Sequence, residues 1–291
     1  MTILVTGANG QVGKTLTKTL LDNGIFAVTT DKSFLDITKK DDIIRNFKTH
    51  KPKLVINTAA YTNVEKAELE KKDAFRVNEL GTFNLANACK VEKIPMFHLS
   101  TDYVFDGNFE IPYLETDEVN PINIYGKSKL AGEEVIKNIL SEHIIFRTSW
   151  IFSKYKSNFV KTMLKLGLQN KSVSVINDQI GAPTSATSIS HYLMLLVTKY
   201  NKEGSLPWGT YHFSQQPFCS WYDFSVEIFH KANEIINYPK VEINAINSIK
   251  FKSQAKRPKN SCLDSQKLKS IFNTEAYNYW KDDLVDVIRE M

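Results

Sequence analysis

The residues of this chain best suited to chemistry are a tyrosine and a lysine four positions apart, Tyr125 and Lys129. On a helix this spacing places both side chains on one face, one turn apart. A phenol has an unperturbed pKa of about 10, and a neighbouring ammonium group favours its deprotonated form. The pair could therefore move a proton near neutral pH. Ordinary amphipathic helices also carry such pairs, with the lysine lying along the surface, so the rest of the chain decides between the two interpretations.

A hydroxyl group stands 24 residues before the tyrosine, at Thr101. It follows the apolar stretch Pro95 to Leu99, which predicts a buried strand. A hydroxyl at the end of that strand and a tyrosine and lysine on the next helix would converge at the carboxyl edge of a parallel sheet. His98 lies inside the strand pattern, and we interpret it as a packed core residue and not as a catalyst.

The elements that must position these residues begin at the N-terminus. Ile3-Leu4-Val5 predicts a short strand that runs into a glycine-rich turn, with Gly7, Gly10 and Gly13 three residues apart, and then into a helical pattern. Such glycines let the backbone approach a pyrophosphate and let the helix pack close to the strand. The helix N-terminus then offers free N–H groups to the phosphates. A turn without a ligand is the alternative.

A carboxylate follows the second predicted strand, Phe26 to Thr30. Asp31 stands 18 residues after Gly13, close to the spacing of about 20 expected for a carboxylate that accepts from the adenosine ribose hydroxyls. This favours NAD. Lys32 follows at once and could meet a 2′-phosphate, so the predicted cofactor is NADH or NADPH. Asp31 as a plain turn residue is the other interpretation.

Strands and helices alternate through the first half of the chain. Further strands are predicted at 53–57 and 144–148, Thr62 is expected to cap a short helix, and residues 73–91 read as one long helix. The predicted fold class is therefore α/β, a Rossmann-like doubly wound parallel sheet with a smaller α/β substrate domain near the C-terminus. The predicted cofactor domain comprises residues 1–150 and roughly 184–215. The substrate domain comprises roughly 151–183 and 216–291.

Composition excludes several classes of protein. The net charge is +5 and the 37 basic residues are scattered, so nucleic acid is not an expected partner. The longest apolar run is about six residues, at 192–197, which predicts no membrane span. Cys89, Cys219 and Cys262 lie far apart, which argues against disulfides or a metal site and for the cytoplasm. The first residues lack the features of a signal peptide.

Several stretches together resemble the extended short-chain dehydrogenase/reductases. They are the glycine pattern at 7–13, Asn57 to Ala60, Ser100 to Gly107 and Tyr125 to Lys129. The likeness continues through residues 147–150, 158–159, 178–184 and 257–264, so it covers nearly the whole chain. Related nucleotide-sugar dehydratases carry Asp-Glu after the threonine and use that glutamate as an acid. Tyr103 occupies the glutamate position here, which argues against dehydration.

The resemblance implies roles for individual residues. Thr101, Tyr125 and Lys129 would form a catalytic triad, and Tyr125 and Lys129 would also contact the cofactor. The other implied cofactor residues are Gly7, Gly10, Gln11, Val12, Gly13, Asp31, Asp36, Ile37, Ala59, Ala60 and Tyr61. The implied substrate residues are Thr101, Asp102, Tyr103, Trp150 and Arg257. Trp150 also fits a buried core aromatic, and the basic run 250–257 fits either a solvated surface or a contact to nucleotide phosphates.

The resemblance further implies an NAD(P)H-dependent oxidoreductase of polysaccharide biosynthesis. Its substrate would be a dTDP-4-keto-6-deoxy sugar, reduced at C4. Whether the protein forms a homodimer stays open. Two alternatives remain. One is another nucleotide-sugar reductase or epimerase with the same triad. The other is a non-catalytic regulatory subunit resembling the methionine adenosyltransferase beta subunit.

Overall fold

The computed structural model describes residues 1–272 and 279–291. Its strands are β1 Ile3–Thr6, β2 Ala27–Thr30, β3 Leu54–Asn57, β4 Met96–Thr101, β5 His143–Thr148, β6 Ile151–Phe152, β7 Ser172–Ile176, β8 Ile180–Gly181, β9 Thr184–Ser185, β10 Gly209–His212, β11 Cys219–Ser220 and β12 Glu242–Ile246. Its α-helices are α1 Gln11–Asp22, α2 Lys40–His50, α3 Val64–Ala67, α4 Lys71–Phe75, α5 Thr82–Glu92, α6 Ile124–Ile139, α7 Phe159–Gln169, α8 Ala186–Glu203, α9 Trp221–Ile236, α10 Gln266–Phe272 and α11 Trp280–Arg289.

A six-stranded sheet forms the centre of the fold, in the order β10-β5-β4-β3-β1-β2. All of its neighbouring strands are parallel. The chain leaves β1 toward β2 on one side and returns to β3 on the other side. In open α/β sheets ligands bind at such a reversal, outside the carboxyl ends of the strands. The predicted doubly wound α/β fold is confirmed.

Helices cover both faces of this sheet because its strands are apolar on both sides. On one face, α1 and α8 contribute Leu16, Leu20, Leu193 and Leu196 to a core with Phe146. On the other face, residues of α2, α5 and α6 pack against the strands. The two layers hold the sheet rigidly, so that the loops at its carboxyl edge are positioned by buried elements.

A second core lies between α7, α9, α11 and the small β7–β12 sheet. It buries Phe152, Phe224 and Trp280. The chain enters this region after β5, returns to the central sheet with α8 and β10, and leaves again at β11. The division at residues 150, 184 and 215 stays a prediction, and residues 273–278 of the predicted substrate domain lie outside the described residues.

Two local predictions are wrong in detail. The cap of α3 is Asn63, whose side chain accepts from the N–H of Lys66, and not Thr62. The long helix expected at 73–91 is interrupted by a π-helical stretch, Arg76–Gly81, between α4 and α5. Such π-bulges occur frequently at functional sites. Within residues 1–272 and 279–291, no helix is long and apolar enough to cross a membrane.

Candidate active site

Thr101 and Tyr125 come together at the carboxyl end of β4. Thr101 is the last residue of β4, and Tyr125 lies in the first turn of α6, where Asn123 caps the helix by accepting from the N–H of Gly126. The Thr101 hydroxyl lies beside the Tyr125 phenol and favours its deprotonated form. A Cβ on Gly126 would lie 2.1 Å from the carbonyl oxygen of Tyr103. Glycine at this position therefore lets the start of α6 approach the loop that follows Thr101.

The acidity of Tyr125 differs from the expectation. Burial raises the pKa of Tyr125 to about 12, the neighbouring Thr101 hydroxyl opposes this, and the charge of Asp102 adds to it. Lys129 was expected to lower the pKa of Tyr125, but it is not among the groups that shift this pKa in the protein without cofactor. The Tyr125 phenol is therefore protonated at neutral pH, which suits a proton donor.

Lys129 lies one turn further along α6 and is almost fully buried, with 2% of its surface exposed. Its Nζ donates to the carbonyl oxygen of Leu99 at 2.7 Å and lies 3.2 Å from Nε2 of His98. Burial lowers the pKa of Lys129 to about 8, against the opposing charge of Glu133. Lys129 can thus exchange a proton at moderately alkaline pH.

Glu133 follows Lys129 on the same face of α6 and was not singled out from the sequence. Its carboxylate accepts from Arg147 Nη2 at 2.7 Å and from the hydroxyl of Ser100 at 2.5 Å. Both side chains of the ion pair are buried, at 0% and 2% exposure. The pair attaches α6 to β4 and β5 and so fixes the height of Tyr125 and Lys129 above the sheet. The i, i+4 step from Lys129 was the only signal for it in the sequence.

Asp102, the residue after Thr101, is a buried acid like Glu133. The Thr101 hydroxyl donates to Asp102 Oδ1 at 2.9 Å, whereas no described residue bonds its buried Oδ2. Burial raises the pKa of Asp102 to about 7, and the hydrogen bonds oppose this only in part. Ionised Asp102 thus costs free energy in the folded protein.

We expect the Asp102→Asn variant to be more stable than the wild type at alkaline pH. Between about pH 4 and 7 the folded protein binds more protons at Asp102 than the unfolded chain does, so its stability falls as the pH rises through this window. The gain at about pH 8 should be on the order of 4 kcal/mol. Urea unfolding at about pH 5 and about pH 8 measures it. An equal pH dependence of the two proteins would contradict the assignment.

Tyr103 and Arg257 meet on the open side of Tyr125. The rings of Tyr103 and Tyr125 lie edge to face with centroids 5.8 Å apart. Arg257 lies near the Tyr103 hydroxyl and forms an ion pair with Glu65, Nη2 to Oε1, at 2.5 Å. Glu65 also accepts from the N–H of Gln254 at 2.8 Å. The segment around Arg257 is thereby held against α3, across from the tyrosines.

The glycine turn has the close contacts that its spacing predicts. A Cβ on Gly7, whose φ is +70°, would lie 2.5 Å from the backbone nitrogen of Ala59. A Cβ on Gly13 would lie 2.4 Å from the Gly7 carbonyl oxygen. Gly10 caps α1 without a side-chain hydrogen bond. The first turn of α1 therefore presents backbone N–H groups without an intervening side chain, which fits a pyrophosphate.

Residues of the glycine turn form hydrogen bonds with the loop after β2 and with the segment after β6. Asp31 accepts from the N–H of Ser33 at 2.8 Å and from Asn9 of the turn. The hydrogen bonds from Ser33 lower the pKa of Asp31, so that it is a carboxylate. Gln11 Oε1 accepts from Ser153 at 2.9 Å. Val12 is buried in the first core.

The remaining predicted cofactor residues line the next strand ends. Asp36 Oδ1 accepts from the Thr38 hydroxyl at 2.7 Å, while Ile37 is buried near Ala59 in the core of the second face. Ala59, Ala60 and Tyr61 follow β3 in partly buried positions. Asn78 of the π-helical stretch, missed by the sequence analysis, accepts from the Tyr61 N–H at 2.8 Å and donates to Ser128 at 2.9 Å. It ties this loop to α6.

Trp150 lies in a different environment, against the second core. Its ring stacks on Trp221 with centroids 3.4 Å apart. A Cβ on Gly181 would lie 2.4 Å from the same ring, and Trp150 has a positive φ of 44°. A residue other than glycine with a positive φ is uncommon and often marks a functional site.

An open cavity of about 650 Å³ adjoins Arg257 on the side of the second core. The segment that follows β12 forms one wall. Its lining includes Asp106, Gln179, Phe251, Lys256, Arg257 and Lys259. The three cations favour an anionic ligand, and the aromatic and amide side chains can contact a base or a sugar.

The parallel sheet, the glycine turn at its reversal point and the Tyr-x-x-x-Lys helix beside Thr101 define the class of protein. They are the features of the extended short-chain dehydrogenase/reductases.

Comparison with known proteins narrows this class. The family model of the RmlD substrate binding domain matches residues 1–291, and the chain belongs to this family. It is 43% identical to a dTDP-4-dehydrorhamnose reductase of Aggregatibacter actinomycetemcomitans, over 95% of each chain. A dTDP-4-dehydrorhamnose reductase structure from Clostridium acetobutylicum has 37% identity and a TM-score of 0.91, covering 99% of this chain and 98% of the other. The same enzyme from Bacillus anthracis, in complex with NADP, has 35% identity and a TM-score of 0.91, covering 100% and 99%.

Proposed function

We propose that this chain is an NAD(P)H-dependent oxidoreductase that reduces the C4 keto group of dTDP-4-dehydro-L-rhamnose to give dTDP-L-rhamnose. The observation that carries the proposal is the placement of Thr101, at the end of β4, beside Tyr125 at the start of α6, in a chain of this family. The product would serve cell-surface polysaccharide biosynthesis.

Each residue of the predicted triad has a separate role. Tyr125 gives its proton to the alkoxide that develops at C4, which its protonated state permits. Thr101 hydrogen-bonds the carbonyl oxygen and orients it toward the phenol. Lys129, buried one turn away, holds a proton that can replace the one lost from Tyr125. Tyr103 stands where a dehydratase would carry its second acid, which favours reduction over dehydration.

The residues of the glycine turn fit a dinucleotide. The space at Gly7 and Gly13 is too small for a Cβ, and the uncapped first turn of α1 can bind the pyrophosphate. Asp31 would accept from the adenosine ribose, and Asp36, Ile37, Ala59, Ala60 and Tyr61 would line the adenosine. When bound, the reduced nicotinamide supplies the hydride.

The substrate is proposed to occupy the cavity beside Arg257. Lys256, Arg257 and Lys259 provide positive charge for the dTDP diphosphate. Asp102 and Tyr103 would face the sugar next to Thr101. Trp150, stacked on Trp221, would contribute an apolar face to the sugar.

A cytoplasmic enzyme is proposed as well, because Cys89, Cys219 and Cys262 are all free thiols. A homodimer stays open, and light scattering on the purified chain measures the oligomeric state.

The test is oxidation of NADPH and of NADH by the purified chain with dTDP-4-dehydro-L-rhamnose. We expect one cofactor to be oxidised per sugar reduced, and NMR of the product should show the L-rhamno configuration at C4. Oxidation that yields the C4 epimer would identify another reductase of this class. The absence of turnover with either cofactor would overturn the proposal and favour a regulatory subunit.

A further inference from the structure

A buried chain of hydrogen bonds connects β3 to the ammonium group of Lys129. The Ala59 N–H donates to Asn57 Oδ1 at 3.1 Å, and Asn57 Nδ2 lies 3.0 Å from His98 Nδ1. His98 Nε2 lies 3.2 Å from Lys129 Nζ. Asn57, His98 and Lys129 are almost fully buried, at 0%, 1% and 2% exposure, so solvent cannot replace a missing partner.

The direction of these bonds follows from their first donor. A backbone N–H can only donate, so Asn57 presents its oxygen to Ala59 and its amide N–H to His98. Nδ1 of His98 must then accept, which places the ring proton of the neutral imidazole on Nε2. This N–H points at Lys129 Nζ. An ammonium group has no lone pair to receive it, whereas a neutral amine does.

We infer that His98, oriented by Asn57, is a positioning residue that stabilises the neutral amine of Lys129 by donating its Nε2–H to Nζ. The Leu99 carbonyl oxygen, 2.7 Å from Nζ, accepts one amine hydrogen in the same arrangement. The histidine that the sequence assigned to the core therefore has a chemical role as well.

The inference deepens the proposed reaction and rests on it for its consequence in catalysis. After Tyr125 has given its proton to the substrate oxygen, its phenolate must be protonated again. Lys129 supplies that proton when one N–H bond of its ammonium breaks and the phenolate O–H forms. The neutral amine left behind is the form that His98 stabilises. Water from the solvent later returns the proton to Lys129.

Other groups also face Lys129. On α6, the negative charge of Glu133 opposes the loss of the proton, but Arg147 of β5 and Ser100 of β4 hold that carboxylate. Tyr125 lies one turn before it, and Asp102 follows β4. None of these groups donates a hydrogen bond to Nζ in the described part of the chain, so His98 alone distinguishes the amine from the ammonium by geometry.

The first test is the tautomer of His98 in protein labelled with 15N-histidine, without substrate. Long-range 15N–1H spectra should show His98 protonated at Nε2, and its signal is assigned by its loss in His98→Gln. His212 is an internal control with the opposite tautomer, because its Nδ1 lies 3.0 Å from the Tyr113 carbonyl oxygen and its Nε2 faces Arg147. A proton on Nδ1 of His98 would overturn the inference, whatever the activity of the enzyme.

The second test follows the same His98 signal as the pH rises. Burial keeps the pKa of His98 well below its ordinary value, so His98 itself does not titrate near pH 8. A change in its NMR signal near that pH therefore reports the loss of a proton from Lys129. In Asn57→Ala the ring is free to move its proton to Nδ1 and accept from the ammonium, so the midpoint should rise by about one pH unit. The control Asn84→Ala removes a buried amide that bonds the Ile37 carbonyl instead, and its midpoint should stay unchanged.

In Asn57→Ala, the pH at which the turnover rate changes on the alkaline side should rise by the same amount as the NMR midpoint. A merely structural role would lower the rate in Asn57→Ala without moving either midpoint, and that result would overturn the inference. Failure of the proposed reaction would instead appear as an absence of turnover with the tautomer of His98 unchanged.

Discussion

The Tyr125→Phe variant is expected to lose about 10²- to 10⁴-fold in the rate of keto-sugar reduction, because it removes the proton donor and little else. Tyr125 is partly buried beside Thr101, and its pKa is raised to about 12, so the phenol holds its proton at neutral pH. The loss corresponds to about 3–5 kcal/mol of transition-state stabilisation. Steady-state oxidation of NADPH with the keto-sugar measures it.

Binding of NADPH should be almost unchanged in this variant, since phenylalanine keeps the ring that contacts Tyr103. Fluorescence titration of the cofactor provides that control. Tyr211→Phe is the matched substitution, because it also removes a single tyrosine hydroxyl, which donates to the Pro207 carbonyl oxygen, away from Thr101. Wild-type turnover by Tyr125→Phe would show that another group protonates the sugar.

The Arg147→Met variant is expected to lose about 3–5 kcal/mol of unfolding free energy. Arg147 donates to both carboxylate oxygens of Glu133, and neither side chain is accessible to water. Methionine fills a similar volume but leaves the carboxylate buried without its partner. Lys137, 3.7 Å from Glu133 and partly exposed, compensates little. Urea unfolding at neutral pH measures the loss.

The double variant Arg147→Met/Glu133→Leu is the control. It removes both charges, so it should recover most of the stability lost by the single variant, because a buried ion pair contributes little net stability compared with apolar residues. Equal stability of the single and double variants would mean that Arg147 acts through its packing on Phe105 and its contact with His212.

Features that depend on neighbouring residues could be predicted from the sequence. The glycine turn and the apolar strands each depend on a few consecutive residues, and both are present in the structure. The strand ends also predicted that Thr101 and Tyr125 would meet, because parallel strands bring their carboxyl ends to one edge.

Features that join distant residues could not be predicted in this way. The hydrogen bond from Asn78 to Ser128 and the ion pair of Arg257 with Glu65 both depend on how elements pack. The prediction for the pKa of Tyr125 was wrong for the same reason. Its spacing from Lys129 predicted a more acidic phenol, but burial of the ring decides its pKa.

The position of β10 has a consequence for the synthesis of this chain. The strand pairs with β5 at the edge of the central sheet, yet the ribosome makes it only after the residues of β6 to α8. Until residue 212 has emerged, β5 has an unpaired edge, and such edges invite pairing with other chains. A shortened gene that stops after β5 would therefore encode an aggregation-prone fragment and not an independent nucleotide-binding module.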